Sequence, residues 1–315
     1  MLKKHRPELR AYWWISRELA PLLEGDPDLA GVYLFDRKKW KRRGYWIRML
    51  KTVRQMRREK FDVIIDLQGL ARSGAIGWLA GGKVFIGVED RREAAFGFYD
   101  ISVPRPSEST HAVDWYLEVA RRLGAPIRWD FDWLPQRNAV SEQLQREHSF
   151  VAGRLIVLCP GARWENKRWP AAFYQQLAQR VISEYPSAQI GIVGASNESA
   201  IAGQIASSVP GRCLNLAGRT SLPELVEVLR MSAALVTNDT GPMHVAAALG
   251  KPVIAMFGPT DPQRTGPYGQ IERVLRQHLP CVPCLKQKCA WKEPLACLTT
   301  LSPEEVFQNL RARLG

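Results

Sequence analysis

The sequence predicts an α/β protein built from two Rossmann-like, doubly wound domains, residues 1–150 and 151–315. Three observations predict it. Short apolar runs alternate with helical patterns along the chain, the way parallel βαβ units read. The alternation starts afresh after residue 150, and 315 residues are enough for two cores. Apolar runs of the second half end in polar, glycine-containing turns that open helices, as at the ligand-binding edge of open sheets.

In the first half, Leu9–Ser16 reads as a strand, Arg17–Leu23 as a short helix and Gly31–Phe35 as a strand. Tyr45–Arg58 reads as a basic helix, Phe61–Leu67 as a buried strand and Arg72–Leu79 as a helix. Val84–Gly87 is a further strand, and His111–Leu123 is a helix closed by Gly124. Phe131–Arg137 brings polar residues and a proline, and Ser141–His148 reads as a linking helix. Lys3–Pro7 reads as the end of a helix, and βαβ logic asks for a strand ahead of it.

The second half predicts strands at Leu155–Leu158, Ala188–Val193, Ala234–Thr237 and Val253–Phe257. Helices are predicted at Ala171–Glu184, Glu198–Ser207, Ser221–Met231, Met243–Leu249 and Pro303–Arg313. Two such domains facing each other would form a cleft at the carboxyl ends of their strands.

No apolar stretch approaches the ~20 residues of a membrane span, and the basic opening lacks the apolar run of a secretory signal. A cytoplasmic chain is therefore expected, with its six cysteines as thiols. The net charge of +13 is unevenly placed: twelve Lys and Arg lie between Arg37 and Lys60 against the single acid Glu59. Trp40, Tyr45 and Trp46 sit inside that run. A solvated helix face is one reading. A surface for an anionic lipid headgroup layer or phosphorylated glycolipid is the other. Nucleic acid is not expected, because no zinc finger or RNA-recognition signature accompanies the charge.

The segment from Leu235 to Pro262 carries the densest chemistry. A strand ends at Thr237, the turn Asn238-Asp239-Thr240-Gly241-Pro242 follows, and His244 lies in the first turn of the next helix. Asp239 or Thr240 can cap that helix, and Pro242 suits its start. Gly241 allows close backbone approach, so a phosphate could meet the positive helix end. A capped turn with no ligand would show the same residues. Gly258-Pro259-Thr260-Asp261-Pro262 ends the next strand at the same edge, and two such loops side by side favour a site.

Leu155–Pro170 has a strand, a glycine turn, then Arg163, Lys167 and Arg168 before Trp169-Pro170 opens a helix. Lysine beside a helix N-terminus suits a phosphate by charge and dipole. Glu198 follows a strand and a glycine turn, where an acid can take ribose hydroxyls or simply stabilise a helix start. Cys281, Cys284, Cys289 and Cys297 have spacings x2, x4 and x7. The first pair fits zinc ligation, but the set matches no zinc module, and no metal or cofactor is expected. Buried reduced thiols or an oxidation-prone loop are the alternatives. Cys159 and Cys213 read as core.

PGARWENKRWP and TNDTGPMHVAAALGKPVIAMFGPTDPQRTGPYG resemble the donor-binding half of the ADP-heptose:lipopolysaccharide heptosyltransferases, a family of GT-B architecture. FDVIIDLQGLARSG, STHAVDWYLEVARRLGAP and LSPEEV resemble it too. The resemblance implies inverting, metal-independent transfer of heptose from ADP-heptose to an anionic glycolipid acceptor at the inner face of the cytoplasmic membrane. It implies that Lys167 binds the donor diphosphate, and that Asp239, Thr240, Gly241 and His244 hold the diphosphate and sugar end. Glu198 would take the adenosine ribose, and Arg72 would meet the acceptor.

Family members open with a strand and a Gly-Asp loop whose aspartate is the expected base. This sequence begins after that point, so no residue inherits the role, and a non-catalytic nucleotide-sugar-binding protein is a rival reading. Ala162 and Arg163 stand where one branch of the family has hydroxyl residues. That leaves open another nucleotide-sugar transferase of the same fold. A basic membrane or nucleic-acid adaptor would need no nucleotide pocket.

Overall fold

The computed structural model describes residues 2–40, 42–90, 93–127 and 134–314. Two compact units divide the chain, Met1–Pro135 and Gln136–Gly315. Residues 131–133 of the expected polar connection lie outside the described residues, as does Lys41 of the basic run.

In the first unit, α1 (Leu2–His5) precedes β1 (Ala11–Ser16), which pairs in parallel with β2 (Leu29–Phe35). The segment expected as a short helix from Arg17 is a single 3-10 turn at Ala20–Leu22. α2 (Arg43–Arg58) buries Tyr45, Met49, Val53 and Met56, a spacing that keeps them on one helical face. Tyr45, Met49 and Val53 pack on Phe35 and Ile76, with Trp14 and Trp40 alongside.

β3 (Phe61–Asp66), α3 (Ala71–Ala80), β4 (Gly82–Val88) and β5 (Ile101–Val103) follow, and the three strands make a second parallel sheet. α4 (Ala112–Arg122) lays Trp115 and Val119 on Ile86, Val88 and Val103. A cavity of about 400 Å³ is lined from both sheets by Tyr12, Tyr33, Phe61, Val63, Ile65 and Phe85. Its walls are mainly apolar, with Arg6, Arg10, Asp66 and Ser73 among the lining residues.

The second unit starts with α5 (Asn138–His148), ahead of the boundary expected near residue 150. The reason is polar as well as apolar. Leu144 joins the core of this unit, and the buried Glu227 carboxylate accepts from Arg137 N–H (3.2 Å) and Ser141 Oγ (3.0 Å).

The sheet elements are β6 (Leu155–Cys159), β7 (Gln189–Ile192), β8 (Cys213–Asn215), β9 (Ala234–Asn238), β10 (Val253–Phe257) and β11 (Leu275–Arg276). Between and after them run α6 (Ala171–Glu184), α7 (Ser199–Ala206), α8 (Leu222–Met231), α9 (Gly241–Ala248), α10 (Pro262–Thr265), α11 (Ala296–Thr299) and α12 (Pro303–Leu314). The strand order is β11-β10-β9-β6-β7-β8, with every pairing parallel.

Every residue of β6, β9 and β10 is buried, so β6 and β10 read as continuous apolar runs rather than alternating ones, and β9 does so up to its polar end at Thr237 and Asn238. Their side chains still alternate between two cores. Ile156, Leu158, Val236 and Met256 face α6, α7 and α12, while Leu155, Val157, Leu235 and Phe257 face α5, α8 and α9. The chain winds outward from β6 to β8, returns, and continues from β9 to β11. The reversal puts a crevice at the carboxyl ends of β6 and β9, where open α/β sheets take ligands.

Candidate functional site

Four loops meet at that edge of the second unit, after β6, β7, β9 and β10. The β6 loop carries the three cations singled out in the sequence, and the structure separates them. Arg163 is exposed, and Arg168 donates from Nε to Ala162 O at 3.0 Å. Only Lys167 turns across the crevice. Its Nζ lies 2.6 Å from Asp239 Oδ2, and the pair is largely sheltered, with 16% and 9% of the two side chains exposed. Lys167 Nζ also stands over the Trp164 ring, 4.5 Å from its centroid.

Asp239 holds a second partner. Thr260 Oγ1 donates to the same Oδ2 at 2.6 Å, so one carboxylate oxygen joins the loops after β6, β9 and β10. This corrects the expectation that Asp239 or Thr240 caps α9. Thr240 is the N-cap but makes no side-chain cap bond, and the Asp239 carboxylate points to Lys167 and Thr260 instead. A cation on another loop is the stronger partner for a sheltered carboxylate than one backbone amide. The first turn of α9 holds Gly241, Pro242 and the exposed His244; Pro242 has no N–H and Met243 N–H donates to Thr240 O at 3.2 Å, so among its first three residues Gly241 supplies the N–H for a ligand at the positive helix end.

Asn238 fixes the two central loops. Its fully buried side chain donates from Nδ2 to Pro160 O (2.8 Å) and accepts from Trp169 N–H (3.0 Å) through Oδ1. Those two contacts bracket the β6 loop and so set where Lys167 stands.

Glu198 lies across the ends of β6 and β7. Its Oε2 accepts from Ala195 N–H at 2.8 Å. A Cβ on Gly161 would fall 2.0 Å from Glu198 Oε1, and one on Gly194 would fall 2.7 Å from Oε2. Glycine at both positions is what lets the carboxylate reach the strand ends. Burial first, and the Glu198 charge second, push the Cys159 thiol up to about 12.

Arg72 belongs to the first unit, exposed in the first turn of α3. The turn before it is built on the buried Asp66. Oδ1 accepts from Gln68 N–H (2.8 Å) and Gly69 N–H (3.3 Å), and Oδ2 accepts from Ser73 Oγ (2.7 Å) and Tyr99 OH (2.8 Å). Burial, with the Asp66 charge next, raises the Tyr99 phenol well above its ordinary value.

The structure thus brings Lys167, Asp239, Thr240, Gly241, His244 and Glu198 to the loops of one sheet edge. Trp164, Asn238 and Thr260 join them without having been singled out in the sequence. Thr260 lies in a loop the sequence did flag. Asn238 likewise stands in a flagged turn, but its buried role in fixing the β6 loop had no signature of its own. No group of three or more metal-binding side chains is assembled among the described residues.

The chain matches the family described as glycosyltransferase family 9 (heptosyltransferase) over residues 49–294. It is 28% identical to lipopolysaccharide heptosyltransferase 1 of Pseudomonas aeruginosa, covering 98% of this chain and 90% of that protein. It is 39% identical to lipopolysaccharide heptosyltransferase 2 of Salmonella typhimurium over 51% of this chain and 47% of that one. The solved structure of E. coli ADP-heptose LPS heptosyltransferase II superposes with a TM-score of 0.78, at 24% identity, over 99% of this chain and 92% of that chain. That superposition establishes a shared fold.

Proposed function

The chain belongs to glycosyltransferase family 9, and on that premise we propose that it transfers heptose from ADP-heptose to the inner core of lipopolysaccharide, with inversion and without a metal. One observation carries the reading. Lys167, Asp239 and Thr260 join three loops at the switch point of a doubly wound sheet, beside an uncapped helix start. A sheltered ammonium next to a helix N-terminus is a seat for a diphosphate.

In the proposed reaction an acceptor hydroxyl attacks the anomeric carbon from the face opposite the diphosphate and gives up its proton to a general base or to solvent water. The carbon–oxygen bond to ADP breaks, and its electron pair leaves with the phosphate oxygen. Lys167 and the positive N-terminal end of α9 stabilise that growing charge, and the preorganised site does so without reorganising during the step. His244, exposed in the same turn, lies against the diphosphate and sugar end together with Thr240 and Gly241. Glu198 accepts from the adenosine ribose hydroxyls, and Arg72 meets the anionic acceptor. Asp239 keeps Lys167 aimed at the crevice.

The acceptor is a lipid, and the chain offers a face suited to reach it. On α2, Trp46, Ile47 and Leu50 are exposed among Arg48, Lys51 and Arg54. We propose that this face rests on an anionic membrane surface at the cytoplasmic side. No helix among the described residues is long and apolar enough to cross a membrane.

The test is heptose transfer followed by mass spectrometry, with ADP-heptose, other ADP-sugars and UDP-sugars offered against a heptose-free inner-core acceptor. Transfer from ADP-heptose above the others supports the reading. Preference for a UDP-sugar would sink it.

A further inference from the structure

The segment carrying Cys281, Cys284, Cys289 and Cys297 is strapped onto the donor loops at three points. Leu285 N–H donates to Pro259 O at 2.7 Å, next to Thr260. Asn166 Nδ2, beside Lys167, donates to Lys286 O at 2.8 Å. Cys297 packs against Gly258, where an added Cβ would lie only 2.9 Å from its Sγ. The strap therefore braces both the lysine loop and the threonine loop from outside.

All four cysteines are free thiols, and Cys297 lies within electrostatic reach of the other three. Leu295 N–H donates to Cys289 Sγ at 3.4 Å, which brings Cys289 to the turn that leads into Cys297. Cys289 is exposed while Cys297 is half-buried. Burial, then the charges of Cys289, Cys281 and Cys284 in that order, pushes the Cys297 thiol up to about 11. An exposed thiol beside a sheltered one is the arrangement in which a peroxide attacks the first and the second resolves it.

We propose that Cys289 and Cys297 form a reversible oxidation site whose disulfide loosens the donor loops and lowers nucleotide affinity. Hydrogen peroxide, as oxidant, converts the Cys289 thiol to a sulfenic acid and leaves as water. The Cys297 sulfur then attacks the sulfenic sulfur, the S–S bond forms, and a second water departs. Forming that bond draws Cys297 Sγ away from Gly258. The Gly258-Pro259-Thr260 loop loses its packing there, and Thr260 loses its fixed aim at Asp239. A thiol reductant reverses the bond.

This inference rests on the donor site proposed above, and one experiment separates the two. Reduced and peroxide-treated protein are compared by intact mass, disulfide peptide mapping and calorimetric titration with ADP, alongside Cys289→Ser. The expected result is a Cys289–Cys297 cross-link, with affinity for ADP lowered about tenfold, a typical coupling between sites. Reductant restores it, and Cys289→Ser is insensitive. A cross-linked protein that binds ADP unchanged overturns the proposal, as does a copurifying zinc ion that shields all four thiols from peroxide. If the reduced protein does not bind ADP, the donor site itself is refuted, whatever the thiols do.

Discussion

Lys167 Nζ lies 2.6 Å from Asp239 Oδ2 across the switch point between β6 and β9, with both side chains largely sheltered from water. The pair does two things at once. It ties the loops after β6 and β9 together, and it holds a cation where the proposed diphosphate seats. An incoming donor competes with Asp239 for the ammonium, so removal of either partner has distinct consequences.

Lys167→Ala removes the proposed phosphate contact. A hydrogen bond to a charged group contributes about 1.5–3 kcal/mol, so ADP affinity should fall about ten- to a hundredfold. Calorimetry reads this directly. Equal affinity in the two proteins removes Lys167 from the site.

Each single substitution also strands a charge. Asp239→Asn leaves Lys167 without its sheltered counter-ion and Lys167→Met does the reverse, each costing about 3–5 kcal/mol at full burial and less here. The double variant Lys167→Met/Asp239→Asn strands neither. Thermal unfolding should show it more stable than either single variant, while ADP binding stays lost. A double variant that regains ADP affinity along with stability would show that the pair holds the fold and nothing else.

Trp46, Ile47 and Leu50 project from α2 among its basic residues. Changing all three to Ser should weaken sedimentation with vesicles rich in anionic lipid. Wild-type binding should fall as salt rises, because exposed charges are screened. Binding that ignores both lipid charge and salt contradicts this role.

Tyr99 donates to Asp66 Oδ2 at 2.8 Å, and its phenol is raised above the ordinary value by burial and by that carboxylate. The folded protein therefore keeps the phenolic proton at a pH where the unfolded chain loses it. This contribution to stability is complete below pH ~10, the unfolded phenol value, and declines as pH rises beyond it. Tyr99→Phe should flatten the alkaline loss of stability seen in denaturant titrations between neutral pH and pH ~11. An unchanged slope places the alkaline sensitivity elsewhere.

Much of this was legible in the sequence because burial leaves patterns. β10 and α6 appear at their expected residues, since a fully buried apolar strand and an amphipathic helix that starts after a proline both announce themselves. β5, β8 and β11 were missed: runs of two or three residues display no period. Asp239 was legible as a site residue from its turn, but its partner was not. A salt bridge spanning 72 residues of chain depends on strand order, and the motifs alone did not reveal that β6 and β9 are neighbours. Asn238 stood in the flagged turn, but its contacts to Pro160 O and Trp169 N–H also depend on β6 and β9 being neighbours.

The central claim is that one edge of the second unit is an ADP-sugar site, and a crystal structure with ADP tests it most directly. We predict the diphosphate on Lys167 Nζ at the N-terminal end of α9, with the ribose on Glu198 and Asp239 released from Lys167 or shared with it. Nucleotide bound away from the loops that follow β6, β7 and β9, or a crystal soaked to saturation with this crevice still holding only water, would contradict it.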